Sequence, residues 1–133
     1  MNKISILKKL NKKAIENGDV PVSCIIEKNN KIIATGYNMR EKNNNPLLHA
    51  EIVAIQKAAK KLKTWNLSDC NLLVTLKPCD MCVEVIKMAK IKKIDYILEN
   101  EKIINNKLIL NKINIDDQKY FINEIKDFFA DKR

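Results

Sequence analysis

One histidine in 133 residues, His49, is followed two positions later by Glu51, and downstream the chain runs Pro78-Cys79-Asp80-Met81-Cys82. No other feature restricts the fold as tightly, because these side chains act together only if one tertiary structure brings both segments to one place. Thiols spaced C-x-x-C share a face when they open a helix, since residues three apart are neighbours on its surface. The spacing predicts a helix over about 78–90, with Pro78 at the first helical position, where a missing N–H costs nothing. Thiols in that first turn feel the positive end of the helix dipole, which favours thiolates and therefore metal. One imidazole and two thiolates make three zinc ligands, and three protein ligands plus water is the pattern of a catalytic zinc. Two alternatives use the same residues. A structural zinc would recruit Cys24 or Cys70 as fourth ligand, and a C-x-x-C redox pair would leave His49 and Glu51 without a task.

Glu51 separates these readings. Two thiolates cancel the formal charge of Zn²⁺, so a bound water is less acidified than at an all-histidine site, where its pKa falls to about 7. Such a centre needs a carboxylate that takes a proton and carries it to a leaving group. H-x-E with a later P-C-x-x-C resembles the signature of zinc nucleobase deaminases.

The remaining sequence reads as one domain, 1–133, large enough for a single core. Met1-Asn2-Lys3-Ile4-Ser5 leads directly into an amphipathic stretch, so no signal peptide is expected. No apolar run approaches a membrane span. Four cysteines without secretory context argue for the reducing cytoplasm and metal chemistry, with Cys24 and Cys70 as core residues inside apolar runs. The formal charge of +9 suits a polyanionic partner, although heavy use of Lys, Asn and Ile throughout would produce it too.

Ile4, Leu7, Leu10 and Ala14 recur at helical spacing over 3–17, and Asn17-Gly18 stops the helix. Val20 to Glu27 and Lys31 to Tyr37 read as a hairpin around Lys28-Asn29-Asn30, followed by a polar loop over 38–48. A helix is expected from about Ala50 to Lys63, and buried strands at Asn71–Leu76 and Ile94–Leu98. Residues 101–111 suit a short helix or a tight hairpin, and Ile113-Asn114-Ile115 a last short strand. Asp116 or Asp117 can cap a final helix through Phe129, with Phe128-Phe129 read as core or dimer surface rather than a base-stacking platform. Helices alternating with strands after a hairpin predict an α/β fold, a mixed sheet of about five strands with helices on both faces.

With Gly18-Asp19-Val20-Pro21-Val22, Tyr37-Asn38, His49-Ala50-Glu51-Ile52 and Val74-Thr75-Leu76 before Pro78-Cys79, the chain resembles bacterial tRNA adenosine deaminases from the first helix to about Leu98. The resemblance implies the three-layer α/β/α cytidine deaminase-like fold. It also implies conversion of a wobble adenosine to inosine in a tRNA anticodon loop, by a homodimer holding one zinc per chain. It assigns His49, Cys79 and Cys82 to the zinc, Glu51 to proton transfer, and Asn38 to the flipped base. It further assigns a backbone N–H to Ala50, and the pocket walls to Val22 and Pro78. Dimer contacts are expected at Ile86, Met88 and the apolar positions between Ala50 and Leu62.

The chain departs from that family in three places. Lys77 stands where glutamate is usual, Asp80 adds an acid between the cysteines, and only Glu99 to Asn111 replaces a long Gly- and Asp-rich segment. Tyr37-Asn38-Met39-Arg40 also resembles the fungal type of cytosine deaminase, which acts on a free base. A zinc-stabilised RNA-binding module that has lost activity is the alternative outside enzymes.

Overall fold

The computed structural model describes residues 2–100 and 110–131. Helix α1 (Lys3–Glu16) opens where the Asn2 side chain accepts from the Ser5 N–H at 2.8 Å. It closes at Asn17, followed by Gly18 at φ 79°, and turns Leu7, Leu10, Asn11 and Ala14 inward. The chain then enters a hairpin of β1 (Ser23–Lys28) and β2 (Lys31–Tyr37). Asn29 and Asn30 join the two with φ of 53° and 61°, the left-handed pair that a two-residue hairpin turn requires. β1 starts three residues later than the apolar run suggested. Pro21 has no N–H for a ladder, and the Val22 N–H instead closes a tight turn onto the Val20 carbonyl at 2.8 Å.

The polar loop that follows contains one short helix, α2 (Arg40–Asn43), before α3 (Ala50–Leu62), β3 (Asn71–Leu76), α4 (Asp80–Met88) and β4 (Lys93–Leu98). β5 (Leu110–Lys112) and α5 (Gln118–Asp131) complete the order. The five strands form one sheet in the order β2-β1-β3-β4-β5. β1 runs antiparallel to both neighbours, while β3, β4 and β5 are parallel. Successive side chains of β1 serve opposite layers, as a two-residue period demands. Cys24 and Ile26 join Ala50, Ala54, Ala58 and Ile86 beneath α3 and α4, whereas Ile25 joins Leu7, Ile97 and Phe121 beneath α1 and α5. This is the expected three-layer arrangement. Cys24 and Cys70 are buried core residues, again as expected.

Several local expectations need correction. α4 begins at Asp80, with Cys79 as its extended N-cap (φ −70°, ψ 170°), so Pro78 precedes the cap instead of occupying the first helical position. The last strand is Leu110–Lys112, not Ile113–Ile115. The alternation at Ile113 and Ile115 reflects packing onto the α1–α5 layer, because a strand and a face-packed extended segment share that pattern. Of the residues 101–111, those at 101–109 lie outside the described residues. Of the positions expected to pair two chains, Ile86, Ala54 and Ala58 are fully buried within this chain, whereas Ile52, Ala59 and Leu62 are partly exposed. Met88 alone of the named contacts is largely exposed, at 73%.

Gly36, on β2, sets how closely α3 approaches the sheet. A Cβ there would collide with the Ala50 carbonyl oxygen and come within 2.7 Å of the Ala54 nitrogen. Gly36→Ala is therefore expected to lower stability by about 1–3 kcal/mol, the usual cost of overpacking. Because α3 carries the site, the variant should also lose bound zinc, measured by thermal unfolding and metal content of the same preparation.

Candidate metal centre

Two helices begin at one point. His49 is the N-cap of α3 and Cys79 the N-cap of α4, and neither side chain caps its own helix, so both are free for another task. Cys82 lies one turn into α4, fully buried. The parallel crossover from β3 through α4 to β4 brings these residues to the carboxyl end of β3, where open α/β sheets place their ligands. His49 Nδ1 lies 3.6 Å from Cys79 Sγ and 3.5 Å from Cys82 Sγ, and the three ligand atoms all lie within 4.8 Å of one another. Zinc bonds of about 2.3 Å to sulfur and 2.0–2.1 Å to nitrogen, at a tetrahedral angle, separate N from S by about 3.6 Å. The preformed spacing fits that ion, and His49 Nδ1 is the nitrogen that would bind it.

The electrostatics fit a cation as well. Cys79 is held far below the ordinary thiol value, at about 4, by the hydrogen bond from Cys82 and then by His49. Cys82, the donor in that pair, is pushed up, and burial adds to the effect. His49 is raised by its contact with Cys79. Glu51, in the first turn of α3 and only 3% exposed, is pushed up to about 7, chiefly by burial. A carboxyl at that value can both hold and release a proton near neutrality. Asp80, by contrast, is exposed on the first turn of α4, where it complements the helix dipole.

Glu51, His49 and Cys79 open onto a cavity of about 430 Å³. Val22, Asn38 and Leu76 line it, together with Asp19, Arg40 and Lys77 and the two phenyl rings of Phe128 and Phe129. Asn38 is held from both sides: its Nδ2 donates to the Val20 carbonyl at 3.0 Å, and its Oδ1 accepts from the Ala50 N–H at 2.8 Å. That bond corrects the expectation for Ala50, whose N–H is committed to Asn38. Pro78 is buried but does not form part of the cavity wall, because it lies one residue ahead of the cap that faces the site.

The phenyl pair is not core: Phe129 is 51% exposed and both rings line the cavity, while Phe121, about two turns earlier, fills the core position of α5. Sequence reasoning also missed Asp19, a buried acid whose Oδ1 accepts the Glu41 N–H at 2.9 Å and so ties α2 to the end of α1. An acid directly ahead of an apolar run was the available signal. Lys77 is not a loose cation: its Nζ is 3.1 Å from Glu99 Oε1, and Tyr96 donates to Glu99 Oε2 at 2.9 Å.

An open mixed sheet whose helices start on a His-Cys-Cys set beside a buried glutamate is the cytidine deaminase-like fold. Over residues 1–133 the sequence matches the MafB19-like deaminases, and the chain belongs to that family. The tRNA-specific adenosine deaminase of Streptococcus pyogenes serotype M18 is 38% identical over 90 residues, 68% of this chain and 57% of that protein. The one from Bacillus subtilis is 40% identical over 83 residues, 62% of this chain and 52% of its own length. The matched segment thus spans little more than half of these relatives. Among solved structures, one from a study of tRNA:A34 deaminases superposes with a TM-score of 0.75 at 23% identity, over 83% of this chain and 95% of that one. Guanine deaminase of Bacillus subtilis gives 0.67 at 26%, over 96% and 95%.

Purified protein is expected to carry about one zinc per chain, as a three-residue catalytic ligand set predicts. Cys79→Ala and Cys82→Ala should each abolish it and lower the unfolding temperature, since the ion joins two helix starts. Elemental analysis beside thermal unfolding checks both statements, and full zinc content in both variants would remove these residues from the ligand set.

Proposed function

We propose that the protein is a zinc-dependent hydrolytic deaminase whose substrate is the wobble adenosine of a tRNA anticodon, converted to inosine with release of ammonia. The observation that carries the reading is the meeting of the ligand triad, Glu51 and Asn38 on one cavity, of a volume within the range of about 300–1,000 Å³ usual for ligand sites. When bound, the zinc supplies Lewis-acid activation of a water. His49, Cys79 and Cys82 hold it, and the dipoles of α3 and α4 favour the negative charge that gathers there. Glu51 would take the proton lost by the attacking water and deliver it to N1 of the purine as C6–O forms, then carry the proton of the new C6 hydroxyl to the amine, so that C6–N6 breaks and ammonia leaves.

Asn38 orients the base. It spends one Nδ2 hydrogen on Val20 and one Oδ1 lone pair on Ala50, which leaves a donor and an acceptor side by side for a purine edge. Val22 and Leu76 supply apolar walls that exclude other water. A polynucleotide substrate is supported by the charge of +9 and by relatives named as tRNA-specific. We extend the reading to a cytoplasmic homodimer, its contacts outside the buried Ile86; among the described residues no helix is long and apolar enough to cross a membrane. A free nucleobase is the second reading, favoured by the guanine deaminase likeness over 96% of the chain.

Glu51→Gln should keep its zinc and its fold while losing about 10²–10⁴-fold in turnover, because it moves protons and holds no metal. The zinc-loaded protein is to be incubated separately with an anticodon stem-loop, adenosine, cytosine and guanine. Inosine in the stem-loop alone is expected, with binding that falls at a log–log salt slope of roughly −3 for about four phosphates. Deamination of a free base with the stem-loop untouched would reject the tRNA substrate.

A further inference from the structure

Helix α5 carries one wall of the cavity yet is thinly anchored: among its described residues only Phe121 is buried. Tyr120, Ile122 and Ile125 pack against the same layer while partly exposed, and polar ties add to them. Gln118 Nε2 donates to the Ile97 carbonyl at 2.6 Å, and Lys8 Nζ lies 3.3 Å from Asp117. The remaining tie joins two residues that each interrupt an apolar stripe. Asn11 lies among Leu7, Leu10 and Ala14 on α1, and Glu124 between Phe121 and Ile125 on α5. Asn11 is 1% exposed; its Nδ2 donates to Glu124 Oε1 at 2.8 Å, while its Oδ1 is buried with no hydrogen-bond partner among the described residues. One turn beyond Glu124 come Phe128 and Phe129, edge to face with centroids 5.4 Å apart, on the cavity wall.

We propose that Asn11 and Glu124 are positioning residues: a two-bonded clasp, completed by a proton on the Glu124 carboxyl, that sets α5 against α1 and thereby sets the phenyl wall of the cavity. A neutral carboxyl and a primary amide pair as a ring. The acid O–H donates to Asn11 Oδ1, satisfying the orphaned acceptor, while Asn11 Nδ2 donates to the other carboxyl oxygen. The ionised carboxylate can only accept, so it leaves Oδ1 buried and unpaired. The proton comes from solvent as pH falls, and no other bond changes.

The groups facing Glu124 are Lys8 and Lys12 from α1 and Tyr120 on its own helix, and Asp117 in turn faces Lys8 and Tyr120. The lysines favour the charged form, and so do the hydrogen bonds from Asn11 and Tyr120, but burial outweighs them and holds the carboxyl above its ordinary value. A raised acid contributes stability that is complete below the ordinary value of 4.5 and is lost as pH rises through the raised one. Acidification therefore tightens the clasp. The inference rests on the deaminase reading only in taking the cavity as the place of the substrate.

The test uses the zinc-loaded full chain with Glu124→Gln and Glu124→Ala. Glutamine can form the same two-bonded ring at every pH, since its Nε2 donates to Asn11 Oδ1. Hydrogen exchange over 118–131 should become slower in wild type, relative to Glu124→Gln, as pH falls toward 4.5, and the two unfolding temperatures should converge there. Glu124→Ala should speed that exchange and raise KM for the anticodon stem-loop about fivefold with kcat within about twofold, and Glu124→Gln should restore KM. Identical pH profiles for wild type and Glu124→Gln, or unchanged exchange and KM in Glu124→Ala, would overturn the clasp. If the stem-loop is not a substrate at all, the exchange and unfolding arms still decide the clasp, while a turned-over stem-loop with flat exchange rejects the clasp and leaves the function standing.

Discussion

The site depends on α3 and α4 starting within bonding distance of one another. Each helix leaves its first N–H groups pointing at the same small volume, and each contributes a cap residue whose side chain is not spent on capping. Two converging positive dipole ends make that volume favourable for two sulfurs and a carboxylate that would otherwise repel. The approach is possible because Gly36 lets α3 lie directly on β2, and because β3 hands the chain to α4 at the same end of the sheet. Asn38 then ties the first turn of α3 to the segment ahead of β1 through two hydrogen bonds. A displacement of any of these elements is transmitted to the ligand spacing, since the core between them is alanine-lined and close-packed.

Charge is kept local in this basic chain. Glu51 is shielded from water, and burial outweighs its hydrogen bonds to a backbone N–H and to Cys82, leaving a carboxyl poised near neutrality. Lys77 is balanced by Glu99, and Tyr96 holds that glutamate in place. A cation next to Cys79 therefore need not compete with a metal for the thiolates. Asp80 lies exposed and offers its charge to the helix dipole. Of the positions where the chain departs from the tRNA adenosine deaminases it resembles, Lys77 lies on the cavity wall and Asp80 lies outside it.

α5 contributes Phe128 and Phe129 to the cavity wall, and it is also where local pattern informs least. The stripe Phe121, Ile125, Phe128 and Phe129 announces an amphipathic helix, yet only Phe121 is fully buried, Ile125 packs on the core while partly exposed, and the last two face the cavity. Periodicity states that these side chains share a face; it does not state where along the helix the supporting layer ends. The same reasoning explains Ile86, apolar on an apolar face and wholly enclosed by its own subunit.

What the sequence by itself determined is whatever depends on neighbours in the chain or on the chemistry of a residue type. The strand Asn71–Leu76, the Asn29-Asn30 turn, the start of α3 and the candidacy of His49, Cys79 and Cys82 as metal ligands all belong there, because spacing, turn stereochemistry and donor atoms are local properties. Tertiary structure alone decided that the Ala50 N–H is taken by Asn38 and that Asp19 clasps Glu41. It also decided that Pro78 stands ahead of the helix and that Asn11 meets Glu124 across 113 positions. Each of these pairs one group with another that many residues could have supplied, and the choice follows from how the layers pack, for which no single segment carries a period or a motif.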